Sequence, residues 1–450
     1  MMLAVRAPLL SAGVLVAVIG AAMDRNTAPG IAAPIADDSM VISYVTDSVK
    51  VVQRMNPLTS VVAVNVYLLG GSRQLTPATQ GIESMLLGAS RYGTRGFPDT
   101  TLRTAWGLTG SSAVTEITND WTMLGFRGAR EEFDRSWDII TERITAPTLK
   151  PDAIALARDR MVSSLRRVRS TPDGEISVVS DSIVFAGHPY RLSPYGTESN
   201  LAGLDSATLS KYLQSQVTRS RMLVVVAGAA TRAMVEAAIH RTLARQPVGE
   251  FIWSPPPPLA RSAGSVTLLA RLTPTNYVMG VFDGPPETSE DYPAFRTATA
   301  FLGQLITKAV REQRGLSYAA SASVSDRALV TGYVYVSTGK PDTVMRLIMR
   351  SVATLQDADS LPAGFTFSSD KNSLSNLFKR STSEAQVDAL AHAQLLQGDY
   401  RLADNLPRRM RTVSSTSVRQ AARKYMQNMR FVYAGDTARV SRKSFVKVQD

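Results

Sequence analysis

Hydrophobic and polar positions along the chain spell out one series of elements twice. In the first series VVAVNVYLL (Val61–Leu69) is an apolar, β-branched run of strand type. Helical spacing follows over 81–90 and 100–107. SSAVTEITND then alternates as a strand, and WTMLGFRG supplies its hairpin-like partner. Residues 130–169 read as a long helical stretch interrupted near Pro147 and Pro151, with a further helix before GHPY (Gly187–Tyr190). A helix over 205–217 leads into RMLVVVAG, a buried strand ended by Gly228, and TRAMVEAAIHRTLAR is amphipathic at helical spacing. SPPPP (Ser254–Pro258) can continue neither a helix nor a central strand, so 248–264 reads as a linker.

The second series opens on the strand TNYVMGVFDG and the helix 292–313. Two strands, LSYAASASVS and ALVTGYVYVSTG, come next, then helices over 342–356, 368–377, 383–397 and 416–426, and the last strand NMRFVYAGD. RMLVVVAG and MRFVYAG each stand near the end of a half, the clearest mark of an internal duplication. The pattern predicts an α+β protein. Two homologous domains, 41–247 and 265–450, each pair an antiparallel-rich mixed sheet with helices on one side, and together they form a half-clamshell.

Composition narrows the chemistry. With 450 residues, 44% of them hydrophobic, the chain can bury two to four cores, and 20% charged residues exclude a disordered or coiled-coil class. The absence of cysteine excludes disulfides, thiol catalysis and Cys-based zinc sites. Net charge is +12, and its densest run, RRVR (Arg166–Arg169), falls on a predicted helix without aromatic interleaving, which reads as a solvated face and not as a nucleic-acid site. At the N-terminus Arg6 precedes an apolar run over 7–23 that ends in Gly20, Ala21 and Ala22. This predicts a secretory signal over 1–23, a flexible leader over 24–40 and an exported, periplasmic protein, the alternative being an uncleaved anchor.

GIESMLLGASRYGT (Gly81–Thr94) raises a different question, because its helix carries no reactive side chain from Ser84 to Gly88. It stands among other landmarks: VYLLGGSR before it, SSAVTEITNDWT and GHPYRLSPYGTESNLAGLD after it, and LGQLITKAVREQRGLSY in the second half. In that order they resemble the insulinase/pitrilysin-type zinc peptidases and their non-catalytic relatives. In active relatives this helix bears HxxEH, whose histidines hold Zn²⁺ while the glutamate takes a proton from the bound water. The resemblance puts Ser84 at the first histidine, Leu87 at the general base and Gly88 at the second histidine. The third ligand falls at or beside Ser164, with Ala157 one family step earlier. A leucine is no base, a glycine has no ligating side chain and a lone serine is a poor zinc ligand, so the helix becomes a packing element.

Nothing else in the sequence rebuilds such a site. His188 reads as structural, His240 as solvent-facing and His392 as partly buried, and they are far apart. Glu83 turns to another face of the helix. The resemblance implies that Arg311 and Tyr318 of VREQRGLSY hold substrate and order the transition state, whereas the alternative has Arg311 capping a helix end and Tyr318 packed in the sheet. Loss of the zinc set beside retention of this pair implies a non-catalytic subunit of a heterodimer. This chain would bind no cofactor, a zinc-bearing homologous partner would hold the metal, and an extended peptide would pair with the edge strand 111–118. No nucleic acid and no stable membrane span after signal cleavage are expected. A scaffold or peptide-binding role in an envelope complex is the second reading, and an autonomous peptidase with a moved metal the third.

Overall fold

Two sheets carry the fold, and they repeat one strand order. The computed structural model describes residues 40–260, 263–271, 273–325, 327–357 and 382–445; the signal, nearly all of the leader and the helix expected over 368–377 lie outside them. The first sheet contains β1 (Val41–Thr46), β2 (Val49–Met55), β3 (Val61–Leu69), β4 (Ser112–Ile117), β5 (Trp121–Ala129) and β6 (Met222–Gly228), in the order β1-β2-β6-β3-β5-β4. The second contains β7 (Ser265–Ala270), β8 (Asn276–Asp283), β9 (Ala320–Val324), β10 (Thr331–Thr338) and β11 (Arg430–Gly435), in the order β7-β11-β8-β10-β9. β2 and β6 run parallel, as do β7 and β11, and the other pairs are antiparallel. The two orders correspond strand for strand once β1 is set aside, with RMLVVVAG (β6) falling on RFVYAG (β11).

The hairpin β1–β2 and strand β7 are additions to the elements expected from the sequence. Asp47 and Ser48 take φ of 48° and 63°, a primed two-residue turn that suits the twist of a hairpin. The alternation in SYVTDSVKVV is the available signal.

Helices of the first half are α1 (Ile82–Ala89), α2 (Thr100–Thr109), α3 (Phe133–Thr145), α4 (Pro151–Ser170), α5 (Pro172–Val184), α6 (Glu198–Ala202), α7 (Ser206–Gln216) and α8 (Arg232–Arg241). Those of the second are α9 (Tyr292–Ile306), α10 (Pro341–Asp357), α11 (Ser383–His392), α12 (Asn405–Arg411) and α13 (Ser415–Tyr425). Phe133, Trp137 and Ile140 of α3, with Val235 and Ile239 of α8, cover the face of the first sheet that presents Val62, Val64, Phe126 and Val224. In the second sheet α9, α10 and α13 do the same.

Each sheet's other face is covered by a helix of the opposite half. Val387, Leu390 and Ala391 of α11 pack on Val52, Ala63, Tyr67, Val225 and Ala227 of the first sheet. Reciprocally, Ile176 of α5, fully buried, packs on Val432 and Ala434 of the second. Polar contacts fix both helices. Asn65 donates to Asp388 at 3.1 Å, and Arg127 lies 3.6 Å from Asp388 and 3.5 Å from Glu384. Glu175 of α5 accepts from Arg271, and Asp181 pairs with Arg327 at 3.2 Å. Burial on both faces explains why β3, β6 and β11 are apolar almost without interruption. Among the described residues no helix is long and apolar enough to cross a membrane.

This exchange predicts one cooperative unfolding transition. All four tryptophans (Trp106, Trp121, Trp137 and Trp253) precede the second sheet in the chain. Ile176→Ala removes a contact made on the second sheet and should cost about 2–5 kcal/mol. In urea titrations the tryptophan-reported midpoint should fall with the far-ultraviolet signal. A tryptophan transition that stays in place while the rest shifts would contradict the exchange.

Candidate functional site

Gly81 caps the start of helix α1, and its φ of 86° favours glycine. Ile82, Met85, Leu86 and Ala89 pack against Ile154 and Ala157 of α4 and against Leu201, Leu204 and Leu209. Leu87 points the other way, into the core with Leu68, Leu124, Ile144 and Val217. Ser84 is buried and donates its hydroxyl to the Pro194 carbonyl at 2.7 Å. A Cβ added at Gly88 would lie 3.2 Å from the Ala157 Cβ and 3.9 Å from the Met161 sulfur. Ala157 therefore faces Gly88, while Ser164, two turns further along α4, is exposed. One engaged hydroxyl, one hydrocarbon and one missing side chain do not fit zinc. Among the described residues no group of three or more acidic or imidazole side chains is placed to hold a metal.

Glu83 is the polar residue of this helix that matters most to its setting. Its carboxylate is buried and pairs with Arg221 at 2.7 Å, with each side chain less than 5% exposed. It also accepts from the Tyr212 hydroxyl at 2.7 Å and the Thr122 hydroxyl at 2.5 Å. Arg221 donates further to the Leu69 and Gln216 carbonyls, at 2.7 and 2.8 Å. Burial works against the Arg221 charge, but Glu83 and Tyr212 outweigh it and hold the guanidinium above its ordinary range. The cluster joins α1, α7, β5 and the start of β6. Glu83 stands one turn before Leu87 and shares its face of the helix, offset from the line of Ser84 and Gly88. The signal for its partner is an arginine standing at the mouth of an otherwise apolar strand.

The histidines take separate structural places. His188 Nδ1 accepts from the Tyr190 amide at 3.1 Å, so Nε2 carries the proton and donates to the Pro257 carbonyl at 2.9 Å. The GHPY turn is thereby tied to the proline run. His240 is 80% exposed beside Asp47, and half-buried His392 meets the buried Glu287 at 2.8 Å. Sequence reasoning missed the junction that GHPY builds with the NDW turn. The Tyr190 hydroxyl donates to the buried Asp120 at 2.5 Å and accepts from the Leu329 amide at 3.0 Å. The Ala328 amide reaches Asp120 at 3.1 Å, and Arg73 lies 3.2 Å from its other oxygen. Burial pushes the Asp120 carboxyl up, against the pull of Tyr190, Ala328 and Arg73.

Arg311 and Tyr318 lie together on the surface. The helix expected over 292–313 is α-helical only to Ile306 and closes as a π-turn over Thr307–Glu312. Gly315, at φ 59°, then reverses the chain, and the Leu316 amide returns to the Val310 carbonyl at 2.9 Å. Ser317 anchors the loop by donating toward the Ala319 and Ser337 carbonyls, at 2.8 and 2.6 Å. Strand β9 begins only at Ala320, so Tyr318 precedes it and is not packed in the sheet. Its side chain is 85% exposed, and the Arg311 guanidinium stands 4.7 Å from its ring centre. β4, at the end of its sheet, is the open edge strand expected over 111–118.

Comparison with known proteins agrees with this geometry. The family model of the peptidase M16 inactive domain matches residues 203–361. The uncharacterized zinc protease YmxG of Bacillus subtilis is 20% identical over 182 residues, 40% of this chain and 44% of that protein. The mitochondrial-processing peptidase beta subunit of Blastocladiella emersonii is 23% identical over 270 residues, 58% of this chain and 56% of that protein. This chain thus spans about half the length of the curated relatives it matches. The crystal structure of a peptidase M16 inactive domain from Pseudomonas fluorescens superposes with a TM-score of 0.77 at 16% identity, covering 88% of this chain and 98% of that one. The chain thus resembles the M16 peptidases and their inactive domain in sequence over part of its length and in fold over 88% of it.

Two outcomes follow from the packing of α1. Ser84→His, Leu87→Glu, Gly88→His and Ser164→Glu together should give a less stable protein that does not retain zinc through dialysis. Position 88 already touches Ala157, and a carboxylate at position 87 would put a charge in an apolar core. Metal analysis and thermal melts check this; tight stoichiometric zinc would contradict it. Glu83→Gln leaves the buried Arg221 charge uncompensated and should cost about 3–5 kcal/mol, whereas Glu83→Leu with Arg221→Met should cost less than the sum of the two single changes. Urea denaturation of the parent, the two single variants and the double variant measures the coupling, and strict additivity would count against the cluster.

Proposed function

We propose that this chain is the non-catalytic subunit of an exported, periplasmic zinc-peptidase-like heterodimer. The zinc-bearing homologous partner holds the metal, and this chain supplies Arg311, Tyr318 and one half of the peptide chamber. One observation carries the reading: Tyr318 is 85% exposed with Arg311 against its ring. An exposed cation–π contact is worth only about 0.5–1 kcal/mol, so folding gives little reason to hold a phenol there. The π-turn and the Ser317 anchor nonetheless fix it, a local irregularity of the kind that often marks functional sites. Against a bound peptide, Arg311 would donate to a carbonyl and Tyr318 to a developing oxyanion, while β4 offers a free edge for backbone pairing.

Tyr318→Phe deletes one exposed hydroxyl and should leave the melting temperature and subunit association unchanged. In the complex it should lower kcat by about 10²–10³-fold, the usual effect of removing one transition-state donor. Steady-state kinetics decide it. Unchanged kcat and KM in an active complex would remove the complementing role and leave the scaffold reading.

A further inference from the structure

We propose that the C-terminal end of α1 is a carboxylate-binding site formed by Arg143 with Arg91. Arg143, on α3, is only 9% exposed. Its Nε donates to the Ser90 hydroxyl at 3.3 Å and its Nη2 to the Leu87 carbonyl at 3.4 Å, two long bonds to neutral oxygens. No carboxylate of the described residues reaches it. The acids near it in sequence are engaged elsewhere: Glu142 accepts from Thr94 and the Gly96 amide, and Asp138 pairs with Arg241. Arg221, buried as deeply, has Glu83 for a counter-ion.

A guanidinium has five N–H donors, and those on Nη1 find no acceptor among the described residues. Burial and the neighbouring charge of Arg91 push Arg143 down to about 10, the direction expected of a buried cation lacking a counter-ion. Arg91 stands one turn beyond Leu87, exposed, and its side chain makes no ion pair among the described residues. Next to it Tyr92 lies under the Arg160 guanidinium at 5.3 Å, and its hydroxyl is buried without a partner. The carbonyl end of α1 compensates part of the Arg143 charge, which accounts for the two bonds to its last turn but not for a second arginine beside them.

The free edge of a planar guanidinium matches the two oxygens of a carboxylate. That carboxylate can belong to a peptide or to a small free acid. Titration calorimetry on the full chain separates the sources, using acetyl-tetra-alanine with a free C-terminal carboxylate, its amidated twin, and acetate as competitor. The free-carboxylate peptide should bind about tenfold or more tightly than the amide. Displacement by acetate would assign the site to small acids, and its failure to displace would assign the site to peptides. Arg91→Gln, on the surface, should weaken binding without changing the melting temperature, and Arg143→Gln should abolish it. Equal binding of acid and amide, no binding of either, or full binding by Arg91→Gln would overturn the proposal and leave Arg143 as a cap of α1.

Discussion

The exchange of helices between the two halves is the constraint on which the remainder of the structure depends. Both faces of each sheet are covered. Ile176 of α5 is buried on the second sheet, and Leu390 of α11 is buried on the first. Removing either half would strip a covering helix from the sheet of the other. The Asp120–Tyr190 junction and the proline run held by His188 act in the same sense, since both tie loops of one half to backbone beyond it. The two halves cannot separate without exposing those faces.

Within that frame the fate of α1 becomes intelligible. The helix is held by packing on α4, by the sheet core around Leu87 and by the buried Glu83–Arg221 pair. None of these needs a metal. Ser84 has a backbone acceptor, and Gly88 allows α4 to approach until Ala157 is in contact. Ser84, Leu87 and Gly88 are thus groups that close the interface. The second half differs in kind: there the π-turn and Gly315 lift a tyrosine out of the fold and leave it in solvent.

Much of this is legible in the sequence. The two series of elements and the strand pair β6 and β11 follow from short-range pattern, as does the helix over 81–90. β1, β2 and β7 are harder to read: SYVTDSVKVV alternates but stands beside the leader, and SVTLLA stands beside the proline-rich linker. The exchange of α5 and α11 is not legible either: an amphipathic helix shows that it has an apolar face, not which sheet receives it. The same holds for Glu83. Its offset in α1 separates it from Ser84 and Gly88, but Arg221, Tyr212 and Thr122 converge on it from remote elements. Tyr318 is ambiguous in the sequence because YAASASV continues as a strand, and only the point where β9 begins places its ring outside the sheet.

The central claim is that this chain acts by completing a partner's site. Co-purification of the tagged chain from its native cell, with zinc analysis and a peptidase assay of the eluate, tests that claim most directly. The account predicts a stoichiometric, zinc-containing homologue in the eluate and peptide cleavage that neither subunit shows alone. A homodimer free of zinc and of peptidase activity, or a single chain that cleaves peptides unaided, would contradict it.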